Sequence, residues 1–155
     1  MIRLADRHDL PSCADIIADS LMWERYGRRA DEALDFFEAE HDNGSEVWVY
    51  ADDSDASGSV LGYLVLIPRG MMGEFPFVRA LGVRRDCRGK GIGTELLGFA
   101  EERMFRLKPL LFMMVSDFND GARRLYRRLG YEQVGAIPDY KKPGIGEYIL
   151  MKRNI

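Results

Sequence analysis

The sequence predicts a mixed α/β (α+β) fold: a mostly antiparallel central sheet of roughly six to seven strands flanked by about four helices. Three observations carry that expectation. Short stretches with alternating or continuous apolar character alternate with longer ones that repeat apolar residues at helical spacing. Val47 to Ala51 and Val60 to Ile67 form a pair of strand-like runs joined by an acidic, small-residue turn, as antiparallel neighbours are. Mid-chain, a strand ending at Val83, a glycine-rich turn, a helix and the apolar run Leu110 to Val115 follow one another, which is the order of a parallel crossover.

The chain has 155 residues, so one domain over residues 1–155 is expected, large enough to bury roughly two-thirds of its unfolded surface. With 46% hydrophobic residues, 30% charged residues and a net charge of −3, the composition excludes a general nucleic-acid binder. Met1 to Asp6 lacks the apolar run of a signal peptide and no run approaches a bilayer span, so no membrane partner and a cytoplasmic location are expected. Cys13 and Cys87 have neither metal-ligand nor CxxC spacing, which predicts reduced thiols, Cys87 as an exposed one in a basic turn. His8 and His41 lie in polar surroundings that would not tune them for catalysis.

Ile2 to Ala5 reads as a first strand, followed by a helix capped by Asp9, with Pro11 in its first turn and an apolar face of Leu10, Cys13, Ile16, Ile17 and Leu21. A second helix spans about Asp31 to His41. Trp23 and Tyr26, between the two, suit a helix–helix corner better than a pocket wall. Asp52 to Ser59 is a hairpin tip without the ligand register or closing glutamate of a calcium loop. Pro68 to Pro76 breaks the strand pattern, and its Met and Phe side chains suit burial and contact with an acceptor or a partner chain equally well, which leaves a homodimer open. From Gly91 a helix runs through Leu96, Leu97, Ala100, Met104 and Leu107 to a stop at Pro109, and Leu110 to Val115 follows as a strand buried on both faces. Ala122, Leu125, Tyr126 and Leu129 then make a helical stripe that turns Tyr126 inward and ends at Gly130. Val134 to Ile137 and Tyr148 to Arg153 close the chain as strands around the turn-rich segment Pro138 to Gly146.

The central turn is an anion site by construction. Gly89, Gly91 and Gly93 remove side chains that would block close approach, and the start of a helix presents free N–H groups. The Walker spacing fails because Gly91, rather than Ser or Thr, follows Lys90. The dinucleotide fingerprint fails because Leu96 stands where a third glycine is needed. What remains, Arg88-x-x-Gly91-x-Gly93, resembles the acyl-CoA pyrophosphate loop of the GCN5-related N-acetyltransferase (GNAT) family. A second segment resembles the family's other signature, with Asn119, Ala122, Leu125-Tyr126 and Gly130-Tyr131 all filled, and Ile2-Arg3-x-Ala5 with Asp9-Leu10 looks like its usual opening.

The resemblance implies a GNAT fold and an acyltransferase moving an acetyl or similar group from acetyl-CoA, or a related acyl-CoA, to an amine of a small molecule or peptide. It places the pantetheine arm along Leu81, Gly82 and Val83 and the pyrophosphate on Arg88, Gly89, Lys90, Gly91, Ile92, Gly93 and Thr94. It further gives Asn119 to the pantetheine arm, the main-chain N–H of Val83 to the carbonyl oxygen, and the general-acid role to Tyr126. The usual acidic positions for a base hold Arg79 and Met114, which leaves Glu74, Asp117 and Glu147 as candidates by neighbourhood. Arg79 points to an acceptor of negative charge or none, and the missing base keeps open a non-catalytic acyl-CoA-binding module. No metal is called for.

Overall fold

A computed structural model describes residues 1–155. It contains a seven-stranded sheet made of β1 (Ile2–Leu4), β2 (Glu46–Ala51), β3 (Val60–Met71), β4 (Phe75–Val83), β5 (Leu110–Ser116), β6 (Glu132–Lys142) and β7 (Ile145–Arg153). The helices are α1 (Leu10–Ala18), α2 (Leu21–Arg25), α3 (Ala30–Asp42), α4 (Ile92–Met104) and α5 (Asp120–Arg128). Strand order is β1-β2-β3-β4-β5-β7-β6, antiparallel throughout except where β4 lies parallel to β5.

Alternation along β3 builds the two halves of the core, because successive side chains leave opposite faces of a strand. Leu64 and Leu66 face α4, where Leu96, Leu97, Ala100 and Met104 cover them together with Leu111 and Met113 of β5. Tyr63 and Val65 face α1 and α3 through Leu10, Ile17 and Phe37. With both faces covered, β3 reads as a continuous apolar run rather than an alternating one.

Two irregularities open this sheet in the middle. Val65 pairs with Ala80 while Leu66 pairs with Val78, so Arg79 is an extra residue bulged out of β4. β4 and β5 pair only at Phe77 with Phe112 and Val78 with Met113. Beyond the bulge no further pairs form, so a splay opens between the end of β4 and β5.

Several local expectations shift. Asp9 makes no cap bond to α1; Asp6 caps a preceding 3-10 turn, Arg7–Asp9, and the Asp9 carboxylate binds Arg3 at 2.7 and 3.0 Å. Ser20 opens α2, a helix absent from the sequence reading, by accepting from the Trp23 N–H at 3.2 Å. Pro68 does not end β3, because it stands where the ladder is irregular between the Ile67–Phe77 and Met71–Phe75 pairs and no donor is needed. β6 and β7 likewise run further into the turn-rich segment, their register broken between Ile137 and Lys142. α4 stops at Met104, leaving Leu107 exposed.

Candidate active site

The loop after β4 folds as its glycines require. Gly89 and Gly91 have φ of 76° and 86°, the left-handed region that side chains disfavour, and a Cβ on either would meet no protein atom within 4 Å. Gly91 is the N-cap of α4 and has no side chain to satisfy the first turn. None of the main-chain N–H groups from Gly89 to Thr94 finds an acceptor in the protein. A run of free donors at a helix start, over open space, fits a pyrophosphate. The arginines around it are partly committed: Arg84 to Asp86 at 2.6 Å, Arg85 to Asp19 at 3.0 Å, and Arg88 Nε to the Val83 carbonyl at 3.2 Å. Lys90 makes no ion pair. Cys87, expected exposed, is buried at 7% exposure, because the 3-10 turn Arg85–Cys87 folds it under α4. The Cys13 thiol is buried too, and burial pushes its pKa up to about 12, so neither thiol stands in the site as a nucleophile.

Ladder parity decides which groups of β4 are free. The Arg84 N–H donates to the Leu61 carbonyl at 2.8 Å, so along this antiparallel pair Gly82 also bonds toward β3, while Leu81 and Val83 turn their N–H groups to the opposite edge. That edge faces the splay. Leu81 and Val83 are therefore available to a pantetheine arm as an added strand would use them. Gly82 serves differently: a Cβ there would lie 2.5 Å from the ring of Tyr63, which is buried at 2% exposure and has nowhere to go.

Below the splay lies a cavity of about 330 Å³. Arg79, Ala80, Leu81, Asn119, Tyr126 and Glu147 all line it. Val83 does not line it. Asn119 caps α5 by accepting from the Ala122 N–H at 3.3 Å, which leaves its amide NH2 free. Tyr126 is held by packing on the α4–α5 layer and edge-on against Tyr131, at 6.2 Å between rings. Its hydroxyl donates to no protein group, so it is not the core tyrosine satisfying a carbonyl that its inward position allows. Burial raises its pKa to about 12 and keeps it protonated.

Glu147 emerges as the acid of the cavity. It is buried at 6% exposure on β7, opposite Ser116 of β5, whose hydroxyl donates to it at 3.0 Å; the Tyr26 hydroxyl donates to the same oxygen. Burial, and then this carboxylate, push the Tyr26 phenol up to about 12, so Tyr26 stays a donor. The other two candidates, Glu74 and Asp117, do not line the cavity. Glu74 is bound to Lys108 at 2.6 Å on the β3–β4 turn, and Asp117 accepts from the Gly146 N–H at 2.9 Å. Trp23 lines the cavity with its Nε1–H donating to the Arg29 carbonyl at 2.8 Å, while Tyr26 reaches it only through Glu147.

The sequence model of the acetyltransferase (GNAT) family matches residues 10–131. The chain belongs to that family. An uncharacterized N-acetyltransferase of Methanocaldococcus jannaschii is 30% identical over 102 residues, 64% of this chain and 64% of that one. The L-methionine sulfoximine/L-methionine sulfone acetyltransferase of Pseudomonas paraeruginosa is 32% identical over 152 residues, 88% of this chain and 83% of that one. Among solved structures, an aminoglycoside 6'-N-acetyltransferase complexed with coenzyme A superposes with a TM-score of 0.78 at 17% identity, covering 100% of this chain and 97% of that one, a likeness of fold. The chain spans under two thirds of the length of other curated relatives as well, 32% and 54% of two of them. No helix is long and apolar enough to cross a membrane.

Within this GNAT chain, the residues that sequence reasoning missed are Lys141, Arg28 and Ser116, all lining the cavity beside Glu147. For Glu147 a signal existed: it has the same strand parity as the buried Ile145, which places a carboxylate where an apolar residue is expected. For Arg28 and Lys141 none did, because each sits in a segment whose polar and turn residues read as solvent-facing.

Proposed function

We propose that this GNAT-family chain is an acetyl-CoA-dependent N-acetyltransferase acting on an amine, working as a single domain in the cytoplasm. The observation that carries the reading is a junction: the free N–H groups of Gly89 to Thr94 and the free edge of Leu81 and Val83 lead to a cavity that holds an unpartnered tyrosine hydroxyl and a buried carboxylate. Arg88, Lys90 and the loop N–H groups bind the pyrophosphate, and Asn119 with the Leu81 and Val83 edge holds the pantetheine arm. Bound acetyl-CoA supplies the acyl thioester. Negative charge on its carbonyl oxygen is steadied by a main-chain N–H of the β4 edge, and Leu81, which lines the cavity, is nearer the chemistry than Val83. Glu147 takes a proton from the attacking amine, with Ser116 and Tyr26 fixing its orientation. Tyr126 gives a proton to the departing sulfur, so one proton in balances one out.

Thiol release from acetyl-CoA with a panel of amines tests this. Turnover that depends on an amine supports the reading; CoA binding without amine-dependent thiol release would leave a non-catalytic acyl-CoA binder instead.

A further inference from the structure

The walls of the cavity carry more positive charge than acetyl transfer needs. Arg28, Arg79 and Lys141 all line it, on three separate segments of the chain. Arg79 is aimed there by the β4 bulge; its Nε lies 3.2 Å from Glu40, its guanidinium stacks on Phe36 at 5.0 Å, and it makes no hydrogen bond to the protein. Arg28 stacks on Trp23 at 5.3 Å and spends one N–H on Glu32 at 3.2 Å. Lys141 has no carboxylate partner at all. As a residue it is exposed, but its ammonium sits where desolvation and then the charges of Arg79 and Arg28 lower its pKa, with Glu147 opposing them. The neighbouring Lys142 donates to the Arg25 carbonyl at 3.0 Å and so pins this end of β6 beside the cavity.

Arg79 is paired with Glu40, and Arg28 shares Glu32 with Arg29; both carboxylates lie outside the lining. What is left over is one cation, Lys141, and one anion, Glu147, in the same cavity. Unfilled guanidinium N–H groups share the cavity with the cation, and Trp23 and Phe36, on which the two arginines stack, add apolar lining. A neutral amine would leave the cationic end unanswered. A molecule that carries an ammonium and an oxyanion answers both, and about 330 Å³ holds only a small one.

We infer that the acceptor is a small zwitterionic amine of the α-amino-acid kind, its amino group toward Glu147 and its carboxylate on Lys141, Arg79 and Arg28, with an apolar side chain against Trp23 and Phe36. This rests on the acetyltransferase reading for its chemistry, in which the ammonium first releases one proton to solvent and Glu147 takes the second as the amine attacks, but not for the binding that it predicts. The carboxylate is recognised by charge-assisted hydrogen bonds, so specificity resides in KM rather than in kcat.

The test compares matched pairs that differ only by the carboxylate: leucine with 3-methylbutylamine, methionine with 3-methylthiopropylamine, and phenylalanine with 2-phenylethylamine. Calorimetric binding to the CoA-loaded full chain is followed by thiol release with acetyl-CoA. In at least one pair the acid should bind about 10-fold or more tighter than its amine, and Lys141→Met or Arg79→Met should reduce that ratio to about 3-fold or less. Both variants should keep CoA affinity, which checks that they fold. Acid preference in binding without thiol release would sink the acetyltransferase reading and leave the acceptor-site inference standing. Amines bound or turned over as well as their acids, no acid-favoured pair, or a preference that survives both substitutions would overturn the inference.

Discussion

Replacing Tyr126 by Phe removes one hydroxyl and leaves a ring that packs on the α4–α5 layer and against Tyr131. In the structure that hydroxyl has no protein partner, so its removal should cost stability almost nothing, within about 0.5 kcal/mol. A hydroxyl that satisfied a buried carbonyl would cost about 1–3 kcal/mol, or some 3–10 °C in Tm for a chain of this size. Catalysis should respond in the opposite way. A positioned acid contributes about 10²–10⁴ in rate, and the low end applies because a thiol with an ordinary pKa of about 8.5 is already a fair leaving group. We therefore expect kcat to fall about 100-fold, equivalent to about 2.7 kcal/mol, with CoA affinity and Tm unchanged. Because burial holds the phenol at about 12, no alkaline fall in kcat below about pH 10 should belong to Tyr126 in the parent. The assay is thiol release with acetyl-CoA and saturating amine, alongside a melting curve. A variant that melts well below the parent while turning over normally per folded molecule would refute the acid role and make the hydroxyl structural.

Three further outcomes follow from the same geometry. Gly91→Val puts a β-branched residue at φ 86°, which costs about 1–3 kcal/mol, and fills the space before the free N–H groups; CoA affinity should drop at least about 10-fold, and undiminished affinity in a folded variant would remove the pyrophosphate from this loop. Glu147→Gln should lower kcat/KM by about 10² with CoA affinity unchanged, whereas undiminished turnover would transfer the base role to another group. The Arg3 hydrogen bond holds the Asp9 carboxyl below its ordinary 3.8, so this pair stabilises fully above that pH and less as pH falls through the depressed folded value. Asp9→Asn should thus cost about 2 kcal/mol at pH 7, with parent and variant melting curves converging toward pH 2; a pH-independent gap would mean that shape rather than charge is responsible.

The glycine loop and the α5 stripe were legible because each is written locally: glycines at the left-handed positions, and apolar residues at helical spacing ahead of Gly130. Strand and helix order was legible for the same reason. The acceptor half was not, because it is assembled across the chain. Tyr26 and Glu147 are 121 residues apart and meet only when α2 docks on the β5–β7 ladder. The bulge at Arg79 has no local signature; it exists in the register between β3 and β4. Pro138, Pro143, Gly144 and Gly146 read as a turn, yet β6 lies at the sheet edge, where proline is tolerated, and its strand continues to Lys142 and carries Lys141 to the cavity.

In the proposed complex coenzyme A lies with its pyrophosphate on the start of α4 and its arm in the splay between β4 and β5. Titrating CoA into isotope-labelled protein and following main-chain amide resonances tests it most directly. The largest shifts are expected at Gly89 to Thr94, whose N–H groups have no acceptor in the protein, with a second set at Leu81 and Val83 and little at Gly82, whose N–H faces β3. Saturating CoA with those amides unmoved, or with shifts concentrated at the outer edge of β1 or β6, would contradict it.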